Sequence, residues 1–173
     1  MKPVPVIAAG GVANGRGIVA ALTLGAQAVS MGTRFLASEE AFVPPGYKAR
    51  IARSTAEDTT YTQLFDIGWP AAPHRVLRNK AVAEWEAAGC PPSGQRPGEN
   101  TTIGTIQRGS KTIDVPRYWA MCATGDFNGD LEYAALHAGE SCSLVNDVKP
   151  AAQIVRDLMD EAYRVAAQFR EAH

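Results

Sequence analysis

Gly10-Gly11 and Gly32-Thr33 are the residues of this chain whose types and spacing point most directly to chemistry. Each pair follows a short apolar run, and a helical pattern lies between the two runs. Glycine permits positive φ and close backbone approach, so successive amides at such turns can converge on an anion. Thr33 adds a hydroxyl donor. No acidic residue intervenes between Gly10 and Glu39. Two such cradles at the carboxyl ends of neighbouring parallel strands would bind a phosphate group. One glycine pair alone would read as an ordinary strand-to-helix turn; two, one βα unit apart, favour the anion site. Arg34 either adds positive charge there or is exposed or ion-paired.

The elements that must position these turns are legible nearby. Val4 to Ala9 is a near-continuous apolar run with β-branched residues, which predicts a strand buried on both faces of a parallel sheet. Asn14 is a helix cap. Ile18, Ala21, Leu22 and Gly25 recur at i, i+3, i+4 and i+7 and define the inner face of a short helix, with Gly25 as its C′ residue. Ala26 to Met31 is the second strand. The unit is α/β, and a right-handed crossover brings both strand ends to one edge.

Residues 37–145 have a different character. They carry most of the prolines and all three tryptophans, Trp69, Trp85 and Trp119. Tyr47 to Arg53 and Ala81 to Ala88 are short helices. Gly94 to Asp114 reads as an irregular loop with a hairpin near Arg108-Gly109. The whole segment is expected to be an insertion or lid with a small aromatic core. Asp147-Val148-Lys149-Pro150 enters a terminal amphipathic helix of about six turns. Ile154, Leu158, Ala162, Val165 and Phe169 form its apolar stripe.

At 173 residues, 46% hydrophobic and 20% charged, the chain fits one packed domain, and its net charge of −1 gives no case for nucleic acid or an anionic membrane. No apolar run approaches the ~20 residues that span a bilayer. The apolar stretch after Met1 is broken by Pro5, Gly10 and Gly11, so it reads as strand and turn rather than a signal peptide. Cys90, Cys122 and Cys142 lack CxxC spacing and read as isolated buried thiols of a reducing cytoplasm. Asn100-Thr101-Thr102 matches a glycosylation sequon by chance. Asp126, Asn128 and Asp130 imitate the start of a calcium loop, but His137 stands where the bidentate glutamate is needed, so no metal site is expected. Arg75, Arg78, Asn79 and Lys80 read as solvated surface. His74, His137 and His173 read as structural, with His137 beside the Gly139 loop.

The stretch AAGGVANGRG…GAQAVSMGTRF closely resembles the C-terminal part of the nitronate monooxygenase family, formerly the 2-nitropropane dioxygenases. Those are FMN-dependent TIM-barrel oxidoreductases whose turns after the seventh and eighth strands bind the FMN phosphate. The resemblance implies that role for Gly10, Gly11, Gly32 and Thr33. It continues more weakly through Glu39 to Lys48, ending in Tyr47-Lys48, and through Asp147 to Ala162. Ala138-Gly139-Glu140-Ser141 resembles a late Ala-Gly-Gln-Ser element, which implies a cofactor contact for Gly139 and places Glu140 where an amide is usual. A carboxylate there would weaken anion binding unless it turns away. The family's catalytic histidine lies upstream of the strand that opens this chain, so the catalytic residues are not assigned here.

The expectation is therefore an α/β chain forming the C-terminal fragment of an FMN-binding TIM barrel. Residues 1–36 supply the last two parallel strands and the phosphate turns, 37–145 an inserted lid, and 146–173 the closing helix. The implied reaction is oxidation of an alkyl nitronate with oxygen to a carbonyl compound and nitrite, in the cytoplasm. The isolated chain is expected to be incomplete and inactive, and a partner chain or upstream segment to complete the barrel. A related flavin-dependent enoyl-acyl-carrier-protein reductase would share the same turns. A non-catalytic phosphate-binding or partner-completing fragment is the third reading.

Overall fold

A computed structural model describes residues 4–171, apart from the side chains of 169–171. Strand β1 (Ile7–Ala9) and strand β2 (Ala28–Ser30) are parallel, with Ile7 opposite Ala28 and Ala9 opposite Ser30. Helix α1 (Gly15–Thr23) joins them. Its start is set by Asn14, whose side-chain oxygen accepts from the Gly17 amide at 2.9 Å. Its end is a Schellman turn: Gly25, at φ 102°, donates to the Leu22 carbonyl, and Ala26 donates to the Ala21 carbonyl. Helix α2 (Thr33–Leu36) follows β2 directly.

The terminal helix α5 (Ala151–Glu171) packs on α1. Ile154, Leu158 and Ala162 are buried with Ile18, while the Val165 side chain is only partly buried and that of Phe169 lies outside the described residues. The crossing is close: a Cβ at Gly15 would stand 2.4 Å from the Ala162 amide nitrogen. This contact turns the inner face of α1 away from the expected one. Gly15 and Ile18 are buried, whereas Leu22 is 46% exposed.

A second correction concerns β1. A strand buried on both faces is expected, yet Ile7 is 61% exposed and Val4 85%. Periodicity reports what covers a strand in the assembled sheet, and only β2 lies beside β1 among the described residues.

Residues 37–145 fold around two further cores. Helix α3 (Pro45–Ile51) buries Tyr47 and Ile51 completely. Strands β3 (Thr59–Thr62) and β4 (His74–Leu77) form an antiparallel pair, and helix α4 (Lys80–Ala87) follows, capped by Asn79. The hairpin expected near Arg108-Gly109 is present, and its strands take up most of the stretch otherwise expected to be irregular. Strand β5 (Thr102–Arg108) pairs with β6 (Lys111–Pro116) across a tight turn in which Gly109 has φ 61°. A short β7 (Asn128–Gly129) adds to β5. The ladders of this segment are antiparallel, and single parallel bridges join Ile67 to Trp119 and Cys122 to Ala135.

Two surface readings are also corrected. Cys90 is exposed rather than buried, because it sits on a turn at φ 57° after α4. Asn79 is buried, not solvated: it caps α4 and donates to the Ala134 carbonyl at 2.9 Å. Arg75 and Arg78 are both ion-paired. Asp130 accepts from the Glu132 amide and closes a local turn, whereas Asp126 accepts from the Gln107 amide 19 residues away and ties its loop to β5. No helix among the described residues is long and apolar enough to cross a membrane.

Candidate functional site

The parallel register sets the geometry of the glycine turns. Ala9 faces Ser30, so Gly10 and Met31 leave the two strands at the same end. Gly10 and Gly11 have φ of 86° and 71°, the left-handed region in which a side chain is strained. A Cβ built on Gly10, Gly11 or Gly32 would meet no atom within 4 Å. The space over all three is open.

Thr33 closes the site from below. It is buried, and its hydroxyl oxygen accepts from the Gly139 amide at 3.0 Å. That bond uses a lone pair and leaves the hydroxyl proton free to donate. It also brings Gly139, 106 residues away in sequence, against the start of α2. Gly10, Gly11, Gly32, Thr33 and Gly139 are thus related through one strand pair and one hydrogen bond.

Arg34 does not face this space as a free cation. It is 6% exposed and pairs with Asp147 at 2.8 Å, while its other terminal nitrogen donates to the Asp147 and Ala37 carbonyls. Burial opposes ionisation of Asp147, but hydrogen bonds from Lys149 and Arg34 outweigh it and hold the carboxyl below its ordinary pKa. Arg34 therefore ties α2 to the entry of α5.

Glu140, the acidic residue at the amide position, is engaged elsewhere. Its carboxylate lies 2.8 Å from the Arg75 guanidinium. Arg75 also donates to the Thr59 hydroxyl at 3.0 Å, which fixes the direction of the pair. The negative charge that would oppose an anion is offset by a cation from β4.

The segment Ala134 to Gly139 runs between β4 and residues 120–122. Leu77 donates to Leu136, Ala138 donates to Arg75, and Cys122 bridges to Ala135. His137 sits in this segment. Its Nε2 is 2.9 Å from the Ala120 carbonyl, so that nitrogen carries the proton and donates. Burial lowers its pKa, only partly opposed by that bond, and keeps the ring neutral. Tyr47 donates to the His137 carbonyl at 2.5 Å, and burial raises the phenol's pKa well above the ordinary value. Lys48 donates to the Glu39 carbonyl. His173 lies outside the described residues.

An apolar cavity of about 370 Å³ opens beside His137, lined also by Phe65, Trp69, His74 and Met121. Sequence reasoning did not find it, nor the Arg75–Glu140 pair. The signal available was two large apolar residues, Trp69 and Met121, set in proline- and glycine-bearing loops rather than in periodic elements.

The α/β fold has solved counterparts. FabK from Thermotoga maritima matches with a TM-score of 0.66 at 29% identity, over 99% of this chain and 48% of that one. Nitroalkane oxidase from Streptomyces ansochromogenes shares the fold, with a TM-score of 0.64 at 24% identity over 96% of this chain and 42% of that one. The nitronate monooxygenase family model matches residues 1–161, and the chain belongs to that family. It is 36% identical to nitronate monooxygenase npaC of Metarhizium robertsii over 92% of its own length, and 34% identical to the nitronate monooxygenase of Paraburkholderia phytofirmans over 96%. It spans 42% and 40% of the lengths of those two relatives.

Proposed function

We propose that this chain supplies the FMN-phosphate end of a flavin-dependent TIM-barrel oxidoreductase that oxidises alkyl nitronates with oxygen to a carbonyl compound and nitrite. The observation that carries the reading is the pair of open glycine turns at one end of a parallel strand pair, with a free hydroxyl proton on Thr33 between them and Gly139. The amides of Gly10, Gly11 and Gly32 and the Thr33 hydroxyl would hold the phosphate. The open space over the three glycines fits a group that approaches the backbone closely. FMN, when bound, supplies the redox chemistry.

The division of labour follows. Residues 1–36 position the phosphate, 37–145 form a lid, and 146–173 close the structure through α5. The exposure of Ile7 in β1 and of Val6 just before it supports a further segment, upstream or on a partner chain, that covers them and brings the general base. A phosphate cradle alone leaves a flavin ring without walls, so the isolated chain should bind FMN weakly.

Equilibrium dialysis with FMN and with riboflavin tests the cradle. FMN should bind more tightly than riboflavin, and Gly11→Val should abolish the difference, since a β-branched residue is strained at φ 71°. Equal affinity for both flavins in the unaltered chain would refute the phosphate role.

A further inference from the structure

The cavity beside His137 has a composition that selects its occupant. No Asp, Glu, Lys or Arg lines it. The nearest arginine in sequence, Arg75, is committed to Glu140 and Thr59. The two histidine rings of the cavity stack edge-to-face at 5.2 Å, and each spends a ring nitrogen on a backbone carbonyl: His74 Nδ1 on Ala72 at 2.8 Å and His137 Nε2 on Ala120 at 2.9 Å. His74 Nε2 is buried without a partner. The rest of the lining is mostly carbon, from Phe65, Trp69, Ala72, Pro73, Ala120 and Met121. At about 370 Å³ the cavity falls within the size range of small-molecule sites.

The chain enters one wall of this cavity, Ala120 to Cys122, from a residue in an unusual conformation. Tyr118 is fully buried and has φ 67°, a left-handed geometry that L residues rarely adopt. Arg96 and Arg117 stack on its ring at 4.5 and 5.0 Å, and its hydroxyl donates to the Pro97 carbonyl. Its carbonyl accepts from Ile67, and Ala120 donates back to Ile67. Three residues after Tyr118, Met121 lines the cavity together with Trp69. Both are large apolar side chains left uncovered, at 49% and 65% exposure.

The cavity also lies within reach of the glycine turns. His137 lines it, and Gly139, bonded to Thr33, follows two residues later. Two extended residues span roughly 7 Å.

We infer that this cavity receives the uncharged carbon skeleton of the oxidoreductase's substrate, an alkyl or aryl group, and rejects charged tails. The assignment to the substrate rests on the flavin reading above. Because charges buried without partners are disfavoured, charged analogues of one skeleton should bind roughly tenfold more weakly or worse.

The test uses the full chain with ¹³C-methyl-labelled methionine. Met121 lines the cavity, whereas Met31 packs against the α1–α5 core and Met159 lies on α5. Toluene should shift the Met121 methyl resonance saturably and leave those of Met31 and Met159 in place. Benzoate and benzylammonium should bind roughly tenfold more weakly, and so should toluene to Trp69→Glu, whose new carboxylate sits at an exposed position that the fold tolerates. Absence of a saturable Met121 shift, equal binding of the three probes, or unchanged toluene binding by Trp69→Glu would overturn the proposal. Dialysis of the same samples against FMN and riboflavin separates the two readings. An FMN preference without a Met121 shift refutes the cavity alone. A Met121 shift with no FMN preference refutes the cradle, and with it the assignment of the cavity to a nitronate substrate.

Discussion

The Thr33 hydroxyl oxygen accepts a hydrogen bond from the Gly139 amide at 3.0 Å, across 106 residues. This contact couples the turn after β2 to the late Ala-Gly-Glu-Ser element. It also leaves one donor on Thr33 directed by the bond it has already made. Thr33→Val removes that donor and strands the Gly139 amide. A hydrogen bond to a charged group contributes about 1.5–3 kcal/mol, so FMN affinity should fall roughly ten- to a hundredfold. Thr33→Ser keeps both bonds and should bind FMN like the parent in equilibrium dialysis.

The Arg75–Glu140 pair leads to the opposite prediction. Glu140→Gln replaces the carboxylate by a neutral amide, and FMN should bind more tightly. Arg75→Ala frees the carboxylate and should weaken binding. Both side chains are partly exposed, at 30% and 60%, so neither change should move the thermal midpoint much. The same dialysis, together with a melting curve for each variant, checks both.

Gly15 is required by packing rather than by its dihedrals. Its missing Cβ makes room for the Ala162 amide and the Leu158 carbonyl, at 2.4 and 2.7 Å from where that atom would stand. Both are backbone atoms of α5 and cannot swing away. Gly15→Ala should destabilise the chain by about 1–3 kcal/mol through overpacking, even though alanine is the better helix former. Urea denaturation measures the loss.

The segment from Asp66 to Glu99 carries a pH-sensitive clasp. Glu99 accepts from Arg96 and from the Gly94 amide, and Arg96 pairs with Asp66 as well. The bonds from Arg96 lower the Glu99 pKa to about 2, against the opposing effect of burial. The unfolded value is about 4.3. A depressed folded pKa stabilises above the unfolded value and is lost as pH falls through the folded one. Stability should therefore decline from about pH 4.3 toward about 2. Glu99→Gln should be less stable than the parent at pH 7, with the gap closing toward pH 2, in urea melts followed across that range.

What the sequence revealed was local. Asn14, Gly25 and the helical stripe from Ile154 to Ala162 act through bonds or contacts within a few residues, or through a period, and they sit where expected. What it concealed depends on distance. Glu161 accepts from the Gly15 amide at 2.7 Å across 146 residues, and Arg34 meets Asp147 across 113. No short-range pattern encodes either. The turn of the β5–β6 hairpin at Gly109 sits where expected, but the length of its strands was obscured because Gly104 interrupts the alternation. That glycine is there for β7, since a Cβ on it would stand 2.6 Å from the Asn128 carbonyl oxygen. The exposure of Ile7 differs from expectation for a further reason: among the described residues only β2 lies beside β1, so an apolar pattern suited to a fully buried strand leaves Ile7 61% exposed.

The central claim is that this chain holds the phosphate end of a flavin site whose base lies elsewhere. Nitrite release from propyl nitronate, with FMN and oxygen present, tests it directly. The chain alone should give no turnover above background, because a missing general base removes roughly 10²–10⁴-fold in rate. Adding the upstream half of a related enzyme should restore both bound flavin and oxygen-dependent nitrite. Robust nitrite release by the 173-residue chain alone would contradict the account. So would a completed barrel that makes no nitrite but couples oxidation of reduced nicotinamide to an enoyl thioester.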